Sequence, residues 1–318
     1  MHSPRRPAIL AALLVVGGAC GAPPPAPPGD PSTSPPAVVT PDAANHHPAM
    51  VIRTDTDDGV RWWVTSPGAP PVRRPLAVPA GDVQLGPAGV DGSILLTLGA
   101  TAAVARLSGD ELAPVRVVDL GAGGLGASIP GCISEARTIA VADAETLGIS
   151  VLPPEGGAVP IEVPLSLGEC AWLENGSLVL SAEGDRLFAW DAGTGTELPL
   201  AATGRHPSSG GGLLSVVDRS GPRPVVVVRA TNAVREDPDP LGAERFGILT
   251  GPNELIANAQ LSPDGGWLAL TLDAGPEGTT SRRMRFYRVT VAGPEATGEI
   301  QLGEREQVTL LPAGTGMP

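Results

Sequence analysis

The 318-residue chain contains no lysine, so arginine supplies all 21 of its basic side chains. A Walker A loop, a Schiff-base lysine and a Ser-x-x-Lys nucleophile pair each need an ammonium group at a fixed place, and the absence removes all three. Histidine is nearly as scarce. Beyond His2 it occurs only at His46, His47 and His206. A serine triad would therefore have to bring His206, in GRHPSSGGG, to a Ser and an Asp through folding alone. His46 and His47 have no second pair at ligand spacing, so they read as linker rather than as a metal site. Aromatic residues make up only 3% of the chain. The adjacent Trp62 and Trp63 point to opposite faces of a strand, and packing is the role expected of them.

What is present begins with a leader. Arg5 and Arg6 precede an apolar stretch from Ala8 to Val16, and the small residues Gly17, Gly18 and Ala19 lead to Cys20. Charged, apolar and small segments in that order form a secretory signal, and the apolar part falls far short of the roughly 20 residues a permanent span needs. Residues 1–19 are read as this signal peptide. The segment that follows is rich in proline and has no hydrophobic periodicity, so residues 20–48 form an extended tether, with a reach on the order of 80 Å.

From Ala49 to Pro318 the pattern changes to short runs of Val, Leu, Ile and Thr separated by Gly, Pro, Asp and Asn, which makes the domain all-β. A turn followed by a strand recurs in GVDGSILLTL (Gly89 to Leu98), SEARTIAVAD (Ser134 to Asp143), ENGSLVLSA (Glu174 to Ala182), SGPRPVVVVRA (Ser220 to Ala230) and PDGGWLALTLD (Pro263 to Asp273). The spacing is roughly 40 to 45 residues, that of a four-stranded propeller blade. Cys170 to Leu200 holds one complete blade, with a hairpin at Asn175-Gly176 of the kind a type I′ turn favours. The ends supply a sixth. Glu306 to Gly314 has the look of a first strand with nothing after it, and Ala49 to Val78 provides second, third and fourth strands with nothing before them. A six-bladed β-propeller closed by strands from both ends of the domain is the result, and closure removes the free edges of an open sheet. GAGGLG (Gly121 to Gly126) matches a dinucleotide-binding pattern, but Pro130 follows where the helix would open, so it is read as a loop between blades.

Two resemblances follow from these residues. The run of small residues ending at Cys20 resembles the lipobox of bacterial lipoproteins, which implies that Cys20 carries a diacylglyceryl thioether and is the first mature residue. Two acyl chains on one residue hold a protein stably on a membrane. The Ser-Pro-Asp-Gly turn at Ser262 to Gly265 and Trp190-Asp191-Ala192-Gly193-Thr194-Gly195 resemble secreted WD-repeat-like and TolB-like six-bladed propellers, over residues 49–318. Such folds serve as binding platforms or as enzyme scaffolds. The expected role is a membrane-anchored, extracytoplasmic, non-catalytic platform for a protein or ligand, without a cofactor or a metal. The alternative is an enzyme resembling metal-dependent lactonases, for which Glu169 and Asn258 on channel-facing first strands are scattered candidates.

Cys132 and Cys170 each precede a repeat strand at nearly equivalent places in consecutive blades. Outside the cytoplasm a disulfide between them is favoured, and two separate buried thiols are the alternative. Removal of residues 1–19 leaves 19 arginines against 34 carboxylates, a formal charge of −15. That surface excludes nucleic acid as a partner and leaves membrane contact to the lipid anchor. If Asn232 to Arg245, Asp273 to Arg283 and Thr54 to Gly59 each join a second strand to a third, then Glu236, Asp237, Asp239, Asp273, Glu277, Asp55, Asp57 and Asp58 border one arc of one face. A cation or a basic segment of a protein partner is the ligand expected there, and ordinary solvated loops are the alternative.

The leader yields the first prediction. Replacing Cys20 with Ala should move the protein from the membrane fraction to the soluble fraction while its circular dichroism stays that of the parent. Retention of the variant on membranes would refute the lipid anchor.

Overall fold

Runs such as SLVLSA (Ser177–Ala182) and WLALTLDA (Trp267–Ala274) place small or apolar side chains on both faces of a strand, an arrangement that is stable only where both faces are covered. The computed structural model describes residues 47–68, 72–78, 83–98, 101–119, 128–134, 137–143, 149–155, 159–161, 167–182, 185–200, 202–232, 239–275 and 281–313. The leader, Cys20, the tether to residue 46 and GAGGLG lie outside them. No α-helix occurs among the described residues.

Strands β1 (Met50–Thr56), β2 (Gly59–Thr65) and β3 (Arg73–Pro75) open the domain. Blade 1 comprises β4 (Gln84–Ala88), β5 (Ser93–Leu98), β6 (Thr101–Ser108) and β7 (Glu111–Asp119); blade 2 comprises β8 (Ser128–Ile133), β9 (Ile139–Asp143), β10 (Ile149–Leu152) and β11 (Val159–Ile161). Blade 3 is β12 (Leu167–Trp172), β13 (Ser177–Ala182), β14 (Arg186–Asp191) and β15 (Thr196–Leu198). Blade 4 is β16 (Arg205–Gly210), β17 (Leu213–Asp218), β18 (Val225–Thr231) and β19 (Leu241–Leu249), and blade 5 is β20 (Glu254–Leu261), β21 (Trp267–Ala274), β22 (Ser281–Thr290) and β23 (Gly293–Leu302). The last strand, β24 (Glu306–Leu310), pairs with β1 from Met50↔Leu310 to Thr54↔Glu306. It becomes the innermost strand of blade 6, in the order β24-β1-β2-β3. The protein is a six-bladed β-propeller whose ring is closed by both ends of the domain.

The six hydrophobic clusters among the described residues each lie between two consecutive blades. Alternate residues of one strand therefore serve different interfaces. Leu178 and Leu180 of β13 pack toward blade 2, while Val179 packs toward blade 4. Trp62 lies in the cluster shared by blades 6 and 1, and Trp63 packs against that shared by blades 5 and 6. Both tryptophans thus weld the closing blade to its neighbours. Burying a Leu, Ile, Val or Phe side chain contributes about 1.5–3 kcal/mol, so blade-to-blade packing is the main source of stability.

The outer edges are blunted. Strands β3, β11 and β15 are only three residues long. The longer β7, β19 and β23 carry register shifts, and β7 and β23 also hold Pro114 and Pro294. Short, bulged or proline-bearing edges resist pairing with a second chain.

The turns between first and second strands share one face, called lower here. In blades 1, 3 and 5 they end on Gly92, Gly176 and Gly265, with φ of 74°, 84° and 69°. At Asn175-Gly176 only the glycine is left-handed, so this is a longer turn than type I′, closed by Gly176 N–H donating to the Leu173 carbonyl. In blade 2 the same place is taken by Arg137, at φ 60°. Its guanidinium crosses to Asp91 in the turn of blade 1, 3.1 Å away, which gives this strained backbone a compensating ion pair.

Blade 4 departs from the sequence expectation. Its inner hairpin joins β16 to β17 through Gly211 and Gly212, both left-handed, at 54° and 71°. Ser220 to Arg223 consequently lies in the turn between second and third strands, one strand later than the repeat implied. The triple glycine has a physical cause. A β-carbon on Gly210 would come 2.0 Å from the Ser262 carbonyl oxygen, and one on Gly211 would come 2.3 Å from that of Asp264. The Ser-Pro-Asp-Gly turn of blade 5 occupies the space, and Gly211 N–H donates to the Pro263 carbonyl at 3.1 Å.

Cys132 of β8 and Cys170 of β12 form a disulfide between the inner strands of blades 2 and 3, with their Cα atoms 5.7 Å apart. The bond closes a loop with a sequence separation of 38. Replacing both cysteines with Ala should lower stability by ~3–4 kcal/mol in the chain-entropy account, read as a fall in urea midpoint under oxidising conditions. An unchanged midpoint would show that the cross-link carries no stability.

Candidate functional site

In a radial sheet the faces pack on neighbouring blades, so side chains of a regular innermost strand point at those blades and its free backbone edge faces the axis. A β-bulge alters this, because one extra residue breaks the ladder and re-aims a side chain. A one-residue shift interrupts the innermost strand in five blades: between Leu85 and Ala88, Ile129 and Cys132, Leu167 and Cys170, Arg205 and Ser208, and Ile256 and Asn258. Pro87, Pro130 and Pro207 fall inside these interruptions, where no ladder hydrogen is needed. Gly131 is obligatory in its own, since a β-carbon there would come 1.8 Å from the Ala140 carbonyl oxygen.

The bulges surround a cavity of about 460 Å³ whose wall comes from the innermost strands of all six blades. That volume lies within the range of small-ligand sites, roughly 300–1,000 Å³. Glu169 and Asn258 both stand on the wall, with Gln307 and Thr309 of β24. Its hydroxyls are committed to the backbone. Thr309 Oγ1 donates to the Gly86 carbonyl at 2.7 Å, and Ser208 Oγ accepts from Leu261 N–H at 2.9 Å.

The charged feature of the wall joins blades 3 and 4. Glu169, in the bulge of β12, approaches His206, in the bulge of β16, with Oε2 to Nδ1 at 2.6 Å. A carboxylate only accepts, so Nδ1 carries the hydrogen and Nε2 has no partner among the described residues. His206 is left-handed at φ 52°. Together with Arg137 and Asp185 it completes the set of described non-glycine residues with positive φ, and each of the three pairs across a blade boundary: Arg137 with Asp91, Asp185 with Arg205, His206 with Glu169. His206 thus meets a glutamate rather than the Ser and Asp of a triad. Among the described residues no three His, Cys, Asp or Glu side chains gather as a metal site would require. The Glu169–His206 pair is spread over two distant bulges in the sequence. Its one local signal is Gly or Pro beside a polar residue in an inner strand, as in Gly168-Glu169 and His206-Pro207.

The acidic arc is divided by the topology. Asp55, Asp57 and Asp58 lie at or beside the turn between β1 and β2, and Asp273 lies near the end of β21, all at upper, second-to-third connections. Asp239 lies between β18 and β19, a third-to-fourth connection that emerges on the lower face. The sequence expectation failed there because the repeat in blade 4 had been displaced by one strand. Glu236, Asp237 and Glu277 lie outside the described residues. Asp239 Oδ1 accepts from Leu241 N–H at 2.9 Å, the role of a turn residue. The upper acids face arginines: Asp55 with Arg53 at 2.8 Å, Asp57 with Arg305 at 3.2 Å, Asp58 with Arg61 at 3.9 Å, and Asp273 with Arg282 through two contacts of 2.8 and 3.0 Å. Each described acid of the upper arc thus has an arginine beside it.

The sequence matches no protein-family profile and no curated protein. Among solved structures the chain is similar to the β-propeller domain of Cps50 (Swd1) from Myceliophteria thermophila, at TM-score 0.49 and 12% identity over 84% of this chain and 89% of that one. It is also similar to the WD40 domain of Toxoplasma gondii coronin, at TM-score 0.44 and 11% identity over 80% and 69%. A putative 6-phosphogluconolactonase from Bacteroides uniformis matches at TM-score 0.45 and 14% identity, over 83% and 99%. These likenesses concern fold and say nothing of activity.

Glu306 links the closing blade to itself at the rim of the channel. Its carboxylate accepts four hydrogen bonds, two from Arg73 of β3, one of them at 3.1 Å, one from Thr54 of β1 at 3.2 Å and one from Gly303 N–H at 3.0 Å. Burial raises its pKa, but these donors outweigh burial and hold the carboxyl below its ordinary value. Asp273 is likewise held down, chiefly by Arg282 against a smaller burial effect. A carboxylate with a depressed folded pKa contributes stability that is complete above its unfolded pKa and is lost as pH falls through the folded one. The melting temperature should therefore be flat above about pH 5 and fall below about pH 4. Glu306→Gln should cost roughly 1.5–3 kcal/mol at neutral pH and make the acid fall shallower, as read in melting curves across pH. Parallel curves for parent and variant would remove Glu306 from the account.

Proposed function

We propose that this chain is an extracytoplasmic lipoprotein, acylated at Cys20 and held to a bacterial membrane, whose propeller is a non-catalytic platform binding a small ligand in the central channel. The anchoring part of the reading is supported by the order of Arg5-Arg6, the apolar stretch, the small residues and Cys20. The chain joins the propeller on the lower face, where Gly68 N–H donates to the His47 carbonyl and Leu311 N–H donates to that of Ala49. The second-to-third connections lie on the other face.

The observation that carries the binding reading is the cavity itself. It draws on the innermost strands of all six blades, and bulges that interrupt five of them re-aim side chains at its wall.

Gln307→Trp would fill the channel from β24 without touching the lipid anchor. Addition of the low-molecular-mass fraction of an envelope extract should raise the melting temperature of the parent, because a ligand bound only by the folded state stabilises it by mass action. The Trp variant should show no rise. An equal rise in both, or none in the parent, would overturn the channel as the binding site.

A further inference from the structure

The charges around the channel differ in how they are balanced. Glu306 is held by Arg73, and Arg282 by Asp273. Among the described residues Glu169 meets no arginine; its side chain is 52% exposed and its ionisable partner there is His206. A guanidinium keeps its charge at all physiological pH, whereas an imidazole sheds its proton between about pH 5 and pH 8. Glu169 therefore stands on the wall beside an imidazole, whereas Glu306 and Arg282, which also line it, are each paired with a group of opposite permanent charge.

We propose that the channel wall between blades 3 and 4 binds the ammonium or guanidinium group of a small ligand at the Glu169 carboxylate, with the His206 imidazole as its competitor. This rests on the reading of the channel as the binding site and names the chemistry of what enters it. An ammonium brings three N–H donors and a guanidinium five. Those not spent on Glu169 meet acceptors, since the inner backbone edges turn carbonyls to the axis and Asn258 and Gln307 add side-chain oxygens to the wall. An anionic ligand would meet Glu169 instead, with the arginine on the wall already committed to Asp273.

The charged groups of the neighbouring elements are engaged elsewhere. Strands β8 and β13 contain no titratable side chain apart from disulfide-bonded Cys132. On β16 Arg205 is paired with Asp185, on β17 Asp218 accepts from Ser220 N–H, and on β20 Glu254 is paired with Arg283 and Arg285. A ligand cation would therefore compete with His206 alone for the Glu169 carboxylate. The strained backbone of His206 fits this use, because left-handed non-glycine residues persist where the surroundings hold a side chain in a required position.

The test is equilibrium dialysis of the full chain in detergent against radiolabelled 1,4-diaminobutane, with succinate and 1,4-butanediol as the anionic and neutral probes of matched length. The diamine should be retained and the other two should not. Glu169→Gln should weaken retention about tenfold at an unchanged melting temperature, and His206→Gln, which removes the competing imidazole, should not weaken it. Equal retention by Glu169→Gln, or no retention by the parent, overturns the proposal. Succinate or diol retained by the parent and lost in Gln307→Trp would overturn the ligand class while upholding the channel. Probes retained equally by parent and Gln307→Trp would overturn the channel itself.

Discussion

A sheet set radially in a ring is buried on both faces, and from that constraint most of the structure follows. Two covered faces demand strands that are apolar on both sides, and each of the six interfaces holds one cluster drawn from alternating residues of its two blades. Only edges remain exposed. The outer edges are shortened, bulged or broken by proline, and the inner edges define the channel. In five blades a break in the inner ladder re-aims side chains, and Glu169 and His206 both stand in such breaks.

The fold was legible because its signals are local. Turn residues, β-rich runs and a half-blade left over at each end are enough to count blades and to predict that β24 would pair with β1. The displaced register in blade 4 was not legible. Gly210, Gly211 and Gly212 replace the usual Asp-Gly signature, and their cause is the backbone of blade 5, more than fifty positions along the chain. Because turn order decides the face, that one displacement carried Asp239 to the wrong side of the ring.

The site was less legible than the fold for a related reason. Asp57 and Arg305 are 248 residues apart, yet adjacent blade-closing elements bring them to 3.2 Å. Acids counted in sequence thus looked like a charged surface, whereas folding sets an arginine beside each described upper acid, from its own hairpin for Asp55, Asp58 and Asp273 and through ring closure for Asp57. Glu169 and His206 were individually visible, the first as a wall candidate and the second as the scarce histidine. Their meeting depends on bulges in two blades, which a strand pattern does not record.

Closure by β24 also sets an order of events during synthesis. The strands of blade 6 emerge from the ribosome at opposite ends of the domain, β1 to β3 first and β24 last. Until β24 arrives, Met50 and Ile52, wholly buried in the finished ring, have an unpaired strand edge beside them and no inner strand to shield it. Domains usually gain structure from the amino terminus as they appear, but this one holds its first-made strands waiting for its last. An edge left open in this way is a template for pairing with a second chain, so the first-made strands are protected only once the last has been added.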